Sequence, residues 1–490
     1  MDDDDLTEDD KAMILKLEGL KVKVFYMSHM LKGSNSDGPT EKDLPKPTDI
    51  YTLSYTSGTT GEPKGAMIAH KNIVCASQVD KFDAYFESVD RCVHLSYLPL
   101  PHVFERLLFG MVCHKKGKYG MFNGNVLKLK EDLAILKPNI FVSVPRLFNK
   151  FCDTIKMGLG QATGVKKWLV DRAVKVKMEN YEEDGSVTDW FYDKLVFSKM
   201  KAVLGGEVKI LLTGSAPIAL EVIKFLKICF CANIAEGYGQ TEGTAGEFLP
   251  DMGDHSSGNV GGVAKHLEMK LIDVPEMKYL STDVDEQGRP TPRGEILVRG
   301  HSVIPGYYKN ETQTNEAIDK DGWLHSGDIG MLLAENRALK IIDRVKNIFK
   351  LSQGEYVAPD RLEQVYKTCQ PVEDIFVYGD SFKSCLVACI YVNAAGLKAY
   401  SKDANLDVSA FEDATAEAIN KKEFTDIVLK SLNEASTIAK LKGFERIKKV
   451  YLCPKDFGVN KLVTATFKLK RNEAKAFFQQ NVDEMYVGLD

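Results

Sequence analysis

The segment that most constrains this chain runs from residue 50 to residue 65. A short apolar run, Ile50-Tyr51-Thr52-Leu53-Ser54-Tyr55, feeds directly into Thr56-Ser57-Gly58-Thr59-Thr60-Gly61-Glu62-Pro63-Lys64-Gly65. The first part has the length of a strand, and the second is turn material. Glycines permit positive φ and close backbone approach to an anion, hydroxyls add rotatable donors, and Lys64 supplies a mobile positive charge. Such a loop suits the β- and γ-phosphates of a nucleotide. It is not a Walker A loop, because Lys64 lies between Pro63 and Gly65 and no Ser or Thr follows it. A plain surface loop of the same composition is the alternative. Ala66-Met67-Ile68-Ala69 then resumes the apolar pattern, and Asn72-Ile73-Val74 points to a helix start.

Bulk properties narrow the class. A chain of 490 residues, 44% of them apolar, can bury more than one core. A formal net charge of −5 leaves no basic footprint for nucleic acid. The ten cysteines include no CxxC pair and no His/Cys metal spacing, so they read as reduced thiols of an intracellular protein. No apolar stretch reaches the roughly 18 residues of a membrane span. The N-terminal Asp2-Asp3-Asp4-Asp5 is the opposite of a basic leader, and Val487-Gly488-Leu489-Asp490 matches no peroxisomal or lipidation signal. A cytoplasmic enzyme is expected, with peripheral contact to the endoplasmic reticulum or another lipid membrane left open and no transmembrane segment.

The pattern along the chain is α/β. Residues 1–48 read as an acidic, polar segment. Residues 49–343 alternate short apolar strands with helical stretches, which predicts a large α/β domain with parallel or mixed sheets. Residues 344–490 shift to a smaller, mobile α+β domain, with the boundary near Arg344. Within the large domain, residues 146–204 are long, amphipathic and charge-laced. Val165, Trp168, Leu169, Ala173 and Val174 share a helical face, and Trp190, Phe191, Leu195, Phe197 and Met200 form a looser stripe. Both are expected to face the core.

Ligands of parallel sheets bind beyond the carboxyl ends of strands. Two such places carry suggestive residues. Val208 to Thr213 reads as a buried strand leading to Gly214-Ser215-Ala216-Pro217, with Pro217 expected at the first position of the next helix. Ile234-Ala235 leads to Glu236-Gly237-Tyr238-Gly239-Gln240-Thr241-Glu242-Gly243. There Tyr238 offers a flat face to a purine, Thr241 a hydroxyl to phosphate, and Glu242 a carboxylate to Mg²⁺, which prefers oxygen ligands. Asp328 and Arg344 could bind ribose hydroxyls, although a single Asp or Arg is more often a solvated surface group. Lys468, Lys470 and Arg471 make a basic cluster that is ordinarily just a charged face.

Taken together, the loop at Tyr55–Gly65 and the later motifs resemble the adenylate-forming enzymes, and residues 50–485 are similar to eukaryotic long-chain-fatty-acid–CoA ligases. Leu98-Pro99-Leu100-Pro101-His102-Val103-Phe104-Glu105-Arg106, Glu236 to Glu242, Lys350-Leu351-Ser352-Gln353-Gly354-Glu355-Tyr356-Val357 and Thr466-Phe467-Lys468-Leu469-Lys470-Arg471 carry that resemblance. It implies ATP-dependent ligation of a long-chain fatty acid to CoA through an acyl-adenylate, with Mg²⁺. Thr56, Ser57, Gly58, Thr59, Thr60, Gly61 and Lys64 would hold phosphates, with Mg²⁺ on Glu242 and Thr241 beside it. Gly214, Ser215, Ala216, Glu236, Gly237, Tyr238 and Gly239 would frame adenine, and Asp328 and Arg344 the ribose. Lys468 would act in adenylation, with Lys470 as the substitute. His102 would gate the acyl site, Lys346 would be the hinge, and Gly354 would serve the CoA side. The resemblance breaks at Lys461 and Ala465, where the family usually shows Gly and Pro. It also implies that much of the usual N-terminal part is missing. An adenylate-forming enzyme for another carboxylic acid, and a weak or silent nucleotide- or acyl-CoA-binding homologue, are the alternatives.

Overall fold

The computed structural model describes residues 11, 44–56, 63–78, 92–125, 128–216, 218–251, 254–344, 347–403, 406–412, 414–464 and 468–489. Met1–Asp49 and Ile50–Asp490 are separate units. In the first, the backbone N–H of Lys46 donates to the Asp49 carboxylate at 2.8 Å. Everything below concerns the second.

It opens with an antiparallel hairpin, β1 (Ile50–Thr56) and β2 (Lys64–Ala69), in which Thr56 lies opposite Lys64. The helix His70–Ser77 follows, and it begins two residues before the Asn72 expected from sequence. A five-stranded parallel sheet comes next, built from β3 (Val93–Ser96), β4 (Lys118–Met121), β5 (Ile140–Ser143), β6 (Ile210–Thr213) and β7 (Asn233–Glu236) in the order β4-β3-β5-β6-β7. Every residue of β5 and β6 is buried. That is why their sequences read as continuous apolar runs: helices cover both faces of a parallel sheet. Successive residues serve different cores, since Val142 and Leu212 belong to one cluster while Phe141 and Leu211 belong to another.

The chain then forms a short pair, β8 (Phe248–Leu249) and β9 (Gly262–Val263), and an antiparallel meander. The meander strands are β10 (Leu267–Ile272), β11 (Arg293–Gly300), β12 (Leu324–Leu332) and β13 (Leu339–Arg344), paired in chain order. After them come the pair β14 (Phe349–Lys350) and β15 (Tyr356–Val357) and a three-stranded sheet, β16 (Val372–Tyr378), β17 (Leu386–Val392) and β18 (Ile447–Cys453). The helices Lys422–Ile438 and Arg471–Tyr486 pack on that sheet. Its two cores draw all their residues from Phe349 onward.

Further sequence expectations change. The helix after β6 runs Leu220–Phe230 with Ala219 at its N-cap, so it starts three residues beyond Pro217, which lies outside the described residues. In the helix Gly164–Asp184 the buried stripe is Val170, Ala173, Lys177 and Tyr181, while Val165 and Trp168 are exposed. The stripe centres on a lysine, which apolar periodicity does not register. Lys177 Nζ lies 2.5 Å from Asp193 Oδ1, donates to the Ile228 carbonyl at 2.7 Å and sits over the Phe197 ring. Asp193 opens a π-helical turn, Asp193–Phe197, that buries Phe197 and leaves Trp190, Phe191 and Leu195 exposed. A π turn shifts the phase of a helix face, so a 3.6-residue reading of this stripe fails.

Candidate active site

The hairpin places its lysine by a second set of bonds. On its free side β2 pairs with residues 306–308: Met67 N–H donates to Gly306 O at 3.0 Å, and Tyr308 N–H to Gly65 O at 2.8 Å. Lys64 therefore lies beside Tyr307, with Nζ 5.3 Å from the ring centroid, and it donates to Gln313 Oε1. The Tyr307 hydroxyl donates to Glu242 Oε1 at 2.6 Å. Burial, reinforced by the Glu242 charge, pushes that hydroxyl far up, so it stays a donor. Lys64 and Glu242 thus flank one tyrosine. Neither Tyr307 nor Gln313 stands in a motif, and only the cross-strand pairing reveals them. Ser57, Gly58, Thr59, Thr60 and Gly61 lie outside the described residues.

The carboxyl ends of β6 and β7 lie side by side. Gly237 N–H donates to Thr213 O at 2.8 Å, and Ser215 is left-handed at φ +71°. Tyr238 exchanges backbone hydrogen bonds with Phe248 at 3.0 and 2.9 Å. Its hydroxyl donates to Asp328 Oδ2 at 2.6 Å. Asp328 is 8% exposed, and in the β12–β13 register it stands opposite Arg344. Tyr238, Asp328 and the Arg344 backbone therefore converge although the sequence scatters them. A Cβ on Gly239 would fall 1.7 Å from the Ala245 carbonyl oxygen, so only glycine fits there. The turn carrying Thr241 and Glu242 closes through two left-handed residues, Thr244 (φ +62°) and Ala245 (φ +68°). Thr244 Oγ1 anchors the first by donating to Ser302 O at 2.6 Å. Beneath it Glu247, with no sequence signal, accepts the Gln240 N–H at 3.1 Å, and burial raises its carboxyl to about 8. Burial also raises Glu236 to about 7, against the opposing pull of the Ile218 N–H and Lys340.

The facing wall comes from the C-terminal part. Lys468 is exposed on a tight turn: Thr464 N–H donates to Lys468 O at 2.8 Å, and Lys468 N–H to Thr464 Oγ1 at 3.0 Å. His102 caps the helix Val103–His114, its Nδ1 accepting the Phe104 N–H at 3.2 Å. Burial lowers the His102 pKa, and the charge of Lys468 lowers it further, which places the two in one neighbourhood. Arg471 bonds Asp360 and Glu363 at 2.7 Å each, beneath the Lys468 turn. Burial works against the Asp360 charge, but Arg471, Asn347 and Lys468 outweigh it and hold the carboxyl below its ordinary range. Gly354, left-handed at φ +89°, belongs to the turn between β14 and β15. Lys346 lies outside the described residues.

Lys64, Tyr307, Gln313, Glu242, Tyr238, Asp328, Glu236, His102, Lys468, Arg471 and Gly354 all line one cleft of about 3700 Å³. Phe151, Met157, Leu220 and Val222 also line it, among Lys150, Asp153, Lys156 and Glu221. Among the described residues no group of three or more His, Cys, Asp or Glu could hold a metal ion. Glu242 and Thr241 nonetheless offer hard oxygens. That suits Mg²⁺, which is held by one or two carboxylates with phosphates and water filling its shell.

Comparison with known proteins gives this cleft a context. Residues 3–308 match the family described as AMP-binding enzyme. The chain is 42% identical over 465 residues to the peroxisomal long chain acyl-CoA synthetase 7 of Arabidopsis thaliana, covering 95% of this chain and 64% of that protein. To fatty acyl-CoA synthetase A of Dictyostelium discoideum it is 39% identical over 469 residues, covering 95% and 68%. Among solved structures, the adenylation domain of a carboxylate reductase from Mycobacterium chelonae superposes with a TM-score of 0.74 at 26% identity, over 97% of this chain and 66% of that one. The chain thus spans 64% of the length of its plant relative.

Proposed function

The chain belongs to the AMP-binding enzyme family, and from that premise we propose that it ligates a long-chain fatty acid to CoA in two half-reactions. A carboxylate oxygen of the fatty acid attacks the α-phosphorus of ATP, and pyrophosphate leaves. The CoA thiolate then attacks the acyl carbonyl, and AMP leaves. The observation that carries this reading is the meeting of Lys64–Tyr307–Glu242, Tyr238–Asp328, His102 and Lys468 around one cleft. The names of the relatives, long chain and fatty acyl-CoA synthetases, favour a long acyl chain.

In this scheme Lys64 and the loop Thr56 to Gly61 hold the departing pyrophosphate. Mg²⁺, when bound at Glu242 with Thr241 beside it, spreads the phosphate charge. Gly214 to Ala216, Glu236, Gly237, Tyr238 and Gly239 frame adenine, while Asp328 and Arg344 take the ribose. Lys468 bridges the carboxylate and the α-phosphate, and Lys470 is the substitute for that role. His102 gates the acyl site. Residues 344–490 move as a body about Lys346 between half-reactions, withdrawing Lys468 and bringing the Gly354 turn to the thioester site. Exposed Trp190, Phe191 and Leu195 are the surface we assign to peripheral contact with a lipid membrane, at the endoplasmic reticulum or elsewhere.

Palmitate-dependent turnover tests the reading. Purified chain with ATP, Mg²⁺ and CoA is assayed for palmitoyl-CoA by mass spectrometry, with acetate and Lys468→Ala as controls. Palmitoyl-CoA from the wild type and little from the variant is expected. ATP binding without product would assign the chain to a silent nucleotide-binding homologue.

A further inference from the structure

Arg146, which lines the cleft, joins the parallel-sheet half of the fold to the half that follows Phe349. It is the second residue of the helix Pro145–Gly160, just beyond the carboxyl end of β5, where Pro145 at the first helical position sets its direction. Nη2 lies 2.8 Å from Asp456 Oδ2 and 3.4 Å from Asp374 Oδ2. Arg146 stands among the residues of the parallel-sheet half. Both aspartates belong to the half whose cores begin at Phe349.

The two acceptors are themselves held in place. Asp374 sits where the β16–β17 register slips between Val372 and Asp374, an irregularity of the kind that re-aims a side chain. Its carboxylate is 3% exposed, and Lys367 lies 3.2 Å from Oδ1. Asp456 follows β18, and its Oδ1 accepts the Gly458 N–H at 2.5 Å, leaving Oδ2 to Arg146. An ion pair exposed at both ends contributes little. A buried carboxylate that loses one of two cations is different, because Lys367 alone then offsets its desolvation. The Arg146 contact therefore favours one arrangement of the two halves, the one in which Lys468 lies near His102.

We propose that Arg146 is a positioning residue, a latch that holds residues 349–489 in the arrangement for acyl-adenylate formation and lets go when the CoA step begins. The proposal rests on the ligase reading above for its two steps, but the latch itself is a statement about structure.

Three proteins test it: wild type, Arg146→Asp, and the exchange Arg146→Asp with Asp456→Arg. Each is measured for palmitate-dependent ATP–pyrophosphate exchange and for acyl transfer from synthetic palmitoyl-adenylate to CoA. Hydrogen exchange is followed over residues 145–150 and 453–458. Arg146→Asp is expected to slow pyrophosphate exchange on the order of tenfold, to leave acyl transfer unchanged, and to speed amide exchange in both segments. The double exchange restores all three, since the guanidinium introduced at position 456 would face the carboxylate introduced at position 146 and would also replace the cation beside Asp374. Equal loss of both half-reactions, unchanged amide exchange, or failure of the charge exchange to restore them overturns the latch. Should the wild type show neither half-reaction, the ligase reading fails, and the amide exchange still decides the latch.

Discussion

The two walls of the cleft are built by opposite means. On the wall formed by the turn after β7, by β12 and by residues 306–308, the side chains bond one another: Tyr238 to Asp328, and Tyr307 to Glu242. On the facing wall Lys468 stands exposed on a turn whose backbone closes on Thr464, and the buried work is done three residues later by Arg471. The first wall is preorganised at the cost of burying polar groups, and its substitutions will register in stability. The second separates anchor from reactive group, so the group can be exchanged with little effect on the fold. A wall that binds an unchanging nucleotide gains from rigidity, whereas a residue needed in only one half-reaction has to leave.

The largest effect expected is on the exposed wall. Lys468→Ala should reduce palmitate-dependent pyrophosphate exchange on the order of 10²- to 10³-fold, the usual consequence of removing one preorganised charge from a transition state. Its urea midpoint should hardly move, because exposed substitutions usually fall within about 0.5 kcal/mol. A large loss of stability would show that the two walls do not differ as described.

The buried wall should answer to pH. Glu236 is raised from 4.5 to about 7, chiefly by burial. The native state therefore binds the extra proton between those values, and stability falls as pH rises from about 4.5 to 7, then levels off. Glu236→Gln should flatten that part of the profile, by up to about 3 kcal/mol at its alkaline end. Urea titrations of both proteins at about pH 4 and pH 8, on either side of that window, check it; equal differences at the two values would contradict the burial argument. A smaller loss is expected from Tyr238→Phe, which takes the hydroxyl from a buried carboxylate at the cost of about 1–3 kcal/mol. Nucleotide affinity measured by calorimetry should fall with it.

Much of the first wall was legible in the sequence, because glycines and a strand end are local signals. Gly239 stands in a glycine-rich turn after a strand end, and the structure supplies the Ala245 carbonyl that leaves room for glycine alone. Pairings across the fold were not legible. Tyr307 meets Glu242 only because β2 zips onto residues 306–308, and Glu247 is buried under a turn formed by two left-handed residues. In the helical segment 146–204, period-based reading identified helices but misassigned their faces, since a buried lysine and a π turn carry the packing. Side chains that a fold buries for charge rather than for apolar area leave little trace in periodicity.

The smallest effect concerns the turn that leads to the lysine wall. Lys461 is exposed and left-handed at φ +59°, its N–H bonded to Gly458 O at 3.0 Å. The family resemblance puts glycine at this position. The lysine thus keeps a backbone that suits glycine and carries the Cβ strain of that region. Lys461→Gly should relieve it, while the freer unfolded chain takes back part of the gain, leaving about 0.5 kcal/mol of net stabilisation. Slower amide exchange at Lys461 and Leu462, with pyrophosphate exchange unaltered, is the expected result. Faster amide exchange would mean that the lysine stem packs on the turn and outweighs its strain, and the exposed wall would then be more tightly built than its solvent exposure suggests.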